Sequence, residues 1–248
     1  MTNTQHILSS FDPITLDEMD SVKLLDRMDT KFTFNVRHLP SILAAVKEHY
    51  RVLEINGLKS SRYETLYFDT EDFRLYTVHH NGKLNRYKVR YRSYLDSNQC
   101  FFEVKFKTNK GRTIKSRIKR KEIPLTITGR AEDLLVEKSP LIASTLHPAL
   151  WVYYTRITLV NKAGGERLTI DVNLHYNNYK TEKAYPRLVI AEVKQERSAS
   201  SPFLNVMKEK KIADVSISKY CYGIVSTYEH IKKNRFKPKL RTLNKIMI

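Results

Sequence analysis

Arg86-Tyr87-Lys88-Val89-Arg90-Tyr91-Arg92 places a basic residue at every second position and an aromatic or aliphatic residue at each position between. In an extended chain successive side chains point to opposite faces, so the four cations share one face and Tyr87, Val89 and Tyr91 the other. A helix would scatter both sets. Phe101-Phe102-Glu103-Val104-Lys105-Phe106-Lys107 repeats the arrangement, with Phe102, Val104 and Phe106 opposite Glu103, Lys105 and Lys107. Arg112 to Lys121 does so again, Lys115, Arg117 and Lys119 alternating with Ile114, Ser116 and Ile118. The connections Leu95 to Asn98 and Thr108 to Gly111 are short enough for antiparallel neighbours, which joins the charged faces into one surface. The pattern predicts that Arg90 and Arg92 face Lys105 and Lys107, a like-charge cluster that repels unless an anion or carboxylates intervene.

Five more segments read as strands: Arg27 to Val36, Arg62 to Phe68, Leu150 to Asn161, Glu166 to Asn177 and Pro186 to Glu196, making eight. Asn161-Lys162-Ala163-Gly164-Gly165 reads as a hairpin turn in which a glycine supplies the positive φ. Helices are expected at His38 to Tyr50, Asp69 to His79, Ala131 to Thr145, Pro202 to Lys211 and from Ser216 towards Ile231. The fold class is α+β, dominated by an antiparallel sheet. Alternation leaves a solvated open sheet and a closed barrel lined by charge equally open, because it does not tell the concave side from the convex one.

The chain has 248 residues, 41% of them hydrophobic, and a formal net charge of +18. That is enough apolar material for a core, which excludes disorder as the whole answer. The charge is localised. Arg86 to Lys121 holds thirteen basic residues against Asp96 and Glu103, a balance of +11, and the last seventeen residues add +7 with no acid. The remainder sums to zero, so the excess reads as a polyanion site plus a tail, the polyanion being nucleic acid, a phosphate chain or lipid headgroups. One domain is expected over residues 1–231, followed by a basic tail, 232–248. The N-terminus lacks a signal-peptide pattern and no apolar run reaches membrane-spanning length, so a cytoplasmic protein is expected. Cys100 and Cys221 read as buried or half-buried thiols rather than as a disulfide or zinc site. Neither a P-loop nor a dinucleotide-binding glycine motif occurs. His79-His80 reads as a surface or helix-end pair, and Tyr87 and Tyr91 as packing residues rather than base-stacking ones.

Several short motifs then converge: Arg27-Met-Asp29-Thr-Lys31-Phe, Lys88-Val-Arg90-Tyr-Arg92, Phe-Glu103-Val-Lys105, Tyr153-Tyr154-Thr-Arg156, Leu168-Thr-Ile-Asp171, Ile190-Ala-Glu192-Val-Lys194 and Ser218-Lys219-Tyr220 with Gly223 after it. In this order and spacing they resemble the VTC domain, the polyphosphate polymerase branch of the triphosphate tunnel metalloenzymes, a CYTH-like superfamily. The resemblance runs from Leu24 to Tyr228. It implies an eight-stranded antiparallel β-barrel tunnel with helices outside and a C-terminal helix near one mouth, so that the charged stripe becomes a lumen. It also implies transfer of the γ-phosphoryl group of ATP to a growing inorganic polyphosphate chain, assisted by Mn²⁺ or Mg²⁺. Carried over residue by residue, Lys31, Arg90, Arg92, Lys105 and Arg156 correspond to phosphate ligands, Glu192 to the metal-binding carboxylate and Lys219 to the basic residue of the C-terminal helix. Lys88, Lys119 and Lys194 are further phosphate-ligand candidates.

The residue types suit that chemistry. Phosphoryl transfer is dominated by positioning and by neutralising oxygens, so Arg, Lys and a metal supply most of it without a protein nucleophile. For Glu192, Glu103 and Asp171 the structural alternative to a metal is ion pairing within the lumen, favoured at the latter two. Where triphosphatase and cyclase relatives begin with Glu-x-Glu-x-Lys, this chain reads Arg27, Asp29 and Lys31, which exchanges a metal-binding carboxylate for a cation and favours the polymerase branch, with Asp29 left open as a metal ligand or an ion-pair partner. The alternatives are a triphosphate or polyphosphate hydrolase of the same fold and a non-catalytic polyphosphate-binding module. Nucleic acid is not an expected partner, because a narrow tunnel excludes a duplex. Delivery of product across a membrane would require a separate membrane protein, and the tail is expected either to be a disordered extension or to guide the chain or touch an anionic membrane surface.

Overall fold

The computed structural model describes residues 2–21, 27–196 and 200–248. The first positions of the family resemblance, 24–26, and the side chain of Arg27 lie outside the described residues. In chain order the elements are α1 (Thr2–Ser9), β1 (Pro13–Ile14), α2 (Leu16–Ser21), β2 (Arg27–Asn35), α3 (Leu39–Val46), β3 (Tyr50–Leu53), β4 (Ser61–Asp69), α4 (Arg74–His80), β5 (Arg86–Tyr94), β6 (Gln99–Lys107), β7 (Thr113–Arg120), α5 (Arg130–Lys138), β8 (His147–Asn161), β9 (Glu166–Asn177), β10 (Glu182–Tyr185), β11 (Leu188–Glu196), α6 (Pro202–Glu209), α7 (Lys219–Thr227) and α8 (Lys237–Met247).

All eight expected strands form, and they lie in one antiparallel path, β2-β11-β9-β8-β4-β5-β6-β7. The short strands β1, β3 and β10 attach to its flanks, β1 and β3 pairing in parallel. Among the described residues β2 and β7 do not pair, so the path is not closed by hydrogen bonds as the expected barrel would be. Its two ends nevertheless meet around one space: Asp29, Thr30 and Lys31 of β2 and Thr113 of β7 line the same cavity.

The apolar face of each strand is covered from outside. Phe32 and Phe34 of β2 and Val189, Ala191 and Val193 of β11 are buried with Leu39, Ile42, Leu43 and Val46 of α3 and with Phe203 and Met207 of α6. Val89, Tyr91, Phe102 and Val104 are buried with Ala131 and Leu135 of α5. The cations of β5 and β6 therefore point to the concave side, which decides between the open-sheet and lined-tunnel readings. The sequence missed α1, α2 and α8, and ended α5 too late: Lys138 is the last residue of that helix, and Ala143–Thr145 is a separate 3-10 turn.

Register departs from expectation on one point. Arg90 faces Glu103, Lys88 faces Lys105 and Arg86 faces Lys107. A second departure is a bulge in β9, where Asn173 takes a left-handed conformation with φ 54°. Asparagine tolerates that geometry, and the extra residue exchanges the faces of the strand. Asp171 before the bulge and Leu174 and Tyr176 after it consequently all face inward. The Asn161–Gly165 hairpin forms as expected, with Gly164 at φ 81°.

Residues 232–248 hold no loose extension. Leu243 of α8 is buried, Asn35 Nδ2 donates to the Ile246 carbonyl at 2.7 Å, and Arg187 Nη1 donates to the carbonyls of Met247 and Ile248. Among the described residues no helix is long and apolar enough to cross a membrane.

Candidate functional site

Three carboxylates of the concave face are each held between two cations. Arg90 and Lys115 flank Glu103, at 2.5 Å from Nη2 and 3.3 Å from Nζ. Arg156 grips Asp171 with two parallel hydrogen bonds of 2.6 and 2.8 Å, and Lys219 donates to the same carboxylate. Lys194 donates to Glu192, with Lys31 Nζ at 3.7 Å. In all three, one cation is the carboxylate's direct register partner on the adjacent strand: Arg90 for Glu103, Arg156 for Asp171 and Lys31 for Glu192. Cross-strand pairing thus builds the triads. Burial raises the carboxyl pKa, but the flanking cations outweigh it, with Arg90, Arg156 and Lys194 contributing most, and hold Glu103, Asp171 and Glu192 below the usual carboxylate range. Each triad keeps one net positive charge.

A further set of cations has no such partner. Arg86, Lys88, Lys105 and Lys107 line a cavity of about 660 Å³ and make no ion pair among the described residues. Lys31 lines the cavity from the facing wall. Lys88 donates a 2.9 Å hydrogen bond to the Ser218 hydroxyl, its one hydrogen-bond partner among the described residues. Burial, then Arg90, Lys88 and Lys194, push Lys105 down to about 7, with Glu192 opposing. Burial also lowers Lys88, with Arg90 and Arg86 adding to it. At Tyr67 burial pushes the phenol up, but Arg90, Arg92 and Lys88 prevail and hold it at about 8; its hydroxyl lies 2.9 Å from Arg90 Nη1. Arg92 donates to Thr65 Oγ1 at 3.2 Å and lies over the Tyr63 ring.

Lys219 enters this space because α7 begins here. The Ser218 hydroxyl accepts from the Cys221 amide and caps the helix, which fixes Lys219 at its first position. The helix approaches β8 and β9 closely at Gly223, where an added Cβ would lie 2.4 Å from Leu150 Cδ2 and 2.5 Å from Tyr176 Cδ1. Tyr220 donates to the buried Asp69, and its ring stacks on Tyr67 at 4.9 Å. Cys221 Sγ lies 3.2 Å from His79 Nδ1, and burial, with Lys88 and Arg86 next, lowers His79 to about 2.

A family model described as the VTC domain matches residues 26–228. The chain belongs to the VTC domain family. No curated protein matches the chain at a significant level. Among solved structures, a putative adenylyl cyclase from Hippeastrum, described as revealing a dominant triphosphatase activity, is similar at 15% identity and a TM-score of 0.50, over 82% of this chain and 98% of that one. A putative adenylate cyclase from Bacillus halodurans is similar at 16% identity and a TM-score of 0.48, over 83% and 100% of the two chains. At that identity the first likeness bears on the fold alone, over most of both chains.

Within the VTC domain, the candidates named from sequence fall into three groups. Lys31, Lys88 and Lys105 line the cavity. Arg90, Arg156, Lys194 and Lys219 sit in the triads, with Arg92 beside them. Lys119 is exposed on β7 opposite Phe101, apart from the cavity. The register corrects the four-cation cluster: Glu103 lies between Arg90 and Lys115, and the unrelieved repulsion moves to Lys88 against Lys105 and Arg86 against Lys107. Four cavity residues went unnamed as ligands, namely Arg86, Lys107, Arg235 and Lys239. The first two share the inward parity of Lys88 and Lys105, a signal that was present. His80 is buried rather than on the surface, closing α4 against Phe236, whereas Tyr91 packs in the core as expected.

Among the described residues no three His, Cys, Asp or Glu side chains gather as a preformed cation cage. Glu192 and Asp29 lie on neighbouring strands, both within 4 Å of Lys194. A hard divalent ion that keeps one or two carboxylates and completes its shell with phosphate oxygens and water suits this donor set.

Proposed function

We propose that this chain is a phosphotransferase of the kinase type, a polyphosphate polymerase that moves the γ-phosphoryl group of ATP onto a growing inorganic polyphosphate chain with a divalent cation, Mn²⁺ or Mg²⁺. The observation that carries the reading is the row Arg86, Lys88, Lys105 and Lys107, which lines one cavity without a carboxylate among its partners. Such a row is repulsive when empty and favourable around a linear polyanion, and its enclosure suits a thin chain better than a duplex.

Lys31, Lys88 and Lys105 are phosphate ligands at the cavity. Arg90, Arg92, Arg156, Lys194 and Lys219 are the inner ones, and Lys119 an outlying one. The triads suit the inner role because the carboxylate fixes two cationic heads while neutralising only one of them. In the transfer, an oxygen of the chain's terminal phosphate forms a bond to the γ-phosphorus while the bond to the β-phosphate oxygen breaks and ADP leaves. The cations offset the charge spread over the equatorial oxygens. Glu192, with Asp29, would hold the cation, which supplies further neutralisation of those oxygens.

Incubation with ATP and Mn²⁺ should yield ADP and acid-labile chains, and Lys88→Met with Lys105→Met should abolish both. Nucleotide turnover without chain growth, with orthophosphate released, would replace this reading by hydrolysis. The neighbouring oxygen donors Asp29 and Glu192 favour that as the second reading. Cytoplasmic placement and a separate membrane partner for translocation belong to the same proposal.

A further inference from the structure

The segment after the family match lines the cavity with Arg235, Phe236 and Lys239. Tyr76 donates to the Lys232 carbonyl at 2.6 Å, and the Arg235 amide donates to His80 Nε2 at 3.2 Å. Phe236 packs edge-on against His80, with ring centroids 5.1 Å apart and planes at 90°. These contacts tie the segment to α4, on the β5 side. At its far end Asn35 and Arg187 hold the last carbonyls of α8 against β2 and β11. Between the anchors the apolar residues Phe236, Leu240, Leu243 and Met247 recur at helical spacing and pack inward. The segment is a strap from α4 to β2 and β11.

Two of its cations are aimed with care. Arg235 Nη1 donates to the Asn81 carbonyl, and Lys239 Nζ donates to the Ser216 carbonyl at 2.8 Å. Both partners are backbone oxygens, which position a charged head without neutralising it. Both residues line the same cavity as Arg86, Lys88, Lys105 and Lys107. The match to the family ends at residue 228, so this part of the wall lies outside the matched residues.

We infer that the strap formed by residues 232–248 is a polyphosphate-binding element, in which Arg235 and Lys239 hold the stretch of chain outside the inner tunnel and so set a preference for long chains over a triphosphate. This rests on the proposed phosphate-chain reading of the cavity. On this reading short anions are satisfied by the inner cations, whereas a longer chain reaches Arg235 and Lys239 on the same cavity wall.

The test compares tripolyphosphate with long-chain inorganic polyphosphate by titration calorimetry, for the full-length protein and for Arg235→Ala with Lys239→Ala. The double variant should bind tripolyphosphate within about twofold of the parent and long chains roughly tenfold more weakly. Its salt dependence for the long chain should flatten by about 0.7 in logarithmic slope for each cation removed. Arg235→Lys with Lys239→Arg keeps both charges and should restore long-chain binding, which a merely structural role for the two side chains would not predict. Parent protein that binds both ligands with the alanine variant unchanged, or weakened equally for both, overturns the strap alone. Parent protein that binds neither overturns the phosphate-chain reading, and the strap with it.

Discussion

Lys88 and Lys105 stand directly opposite each other on β5 and β6, two inward ammonium groups with no carboxylate between them, while two residue pairs further along the same ladder Arg90 meets Glu103. Over that short distance the lumen changes from internally neutralised to open for an external anion.

Binding of phosphate chains should take up protons near neutrality. Lys105 lies near 7 in the free protein, because of burial first and its cationic neighbours second, and an anion beside it raises that value. The bound state therefore carries more protons than the free one between about 7 and the raised value. Affinity for tripolyphosphate should fall as pH rises through this window, by at most about tenfold per pH unit for one proton. Calorimetry in two buffers of different ionisation enthalpy measures the uptake directly. Lys105→Arg, which stays charged, should flatten the profile, and an unchanged profile would contradict the assignment.

The same lysine should cost stability when the tunnel is empty. Its pKa is lower folded than unfolded, so the unfolded chain binds the extra proton between about 7 and the ordinary lysine value, and stability rises with pH across that interval. Lys105→Met should raise the melting temperature below pH 7 while weakening chain binding. Calorimetric melting with and without tripolyphosphate separates the two effects.

Glu103 is fully buried between Arg90 and Lys115, so Glu103→Gln leaves two lumen cations without their shared anion. Breaking a buried pair of this kind costs about 3–5 kcal/mol, or roughly 6–20 °C in melting temperature for a domain of this size. Added polyphosphate should recover more stability in the variant than in the parent. A melting temperature unchanged by the substitution would show that the triad is not a unit.

Glu192→Gln should separate binding from turnover. Loss of the carboxylate frees Lys31 and Lys194 for phosphate, so chain affinity should hold or tighten. The metal-dependent rate should fall about 100-fold or more, since neutralisation at the reacting oxygens is worth several kcal/mol. Binding and rate are followed together across a Mn²⁺ titration, and joint collapse of both would place Glu192 in a structural role.

Gly223→Ala tests how Lys219 is placed. The added Cβ would meet Leu150 and Tyr176 well inside contact distance, an overpacking that costs about 1–3 kcal/mol and a few degrees of melting temperature. α7 must shift to relieve it, which moves Lys219 away from Asp171. Activity should drop beyond what a milder core variant of equal stability loses.

The period of two in Arg86 to Arg92 made the strands and their inward face legible, because alternation carries through to the folded sheet. Partners were less legible. The expected pairing of Arg90 with Lys105 differs from the observed register by two residues, and a slip of two keeps every side chain on its face while changing what it meets. The bulge at Asn173 left no periodic trace, so the sharing of the lumen by Asp171 and Tyr176 came only with the fold. Along residues 232–248 the apolar positions Phe236, Leu240, Leu243 and Met247 follow a helical rhythm, but the seven basic residues among them read as a tail. Metal binding by Glu192 could not be separated in sequence from pairing with Lys194, since both need a carboxylate beside a cation on one strand.

The missing ladder between β2 and β7 bears on how wide the tunnel stands. A fully sewn barrel has a calibre fixed by strand number and stagger. Among the described residues one seam is unsewn, which leaves the girth open to the balance of charge across the bore: like cations press the walls apart, and under the proposed function a threaded phosphate chain would draw them in. The guest would then be part of the hoop that holds the vessel to size.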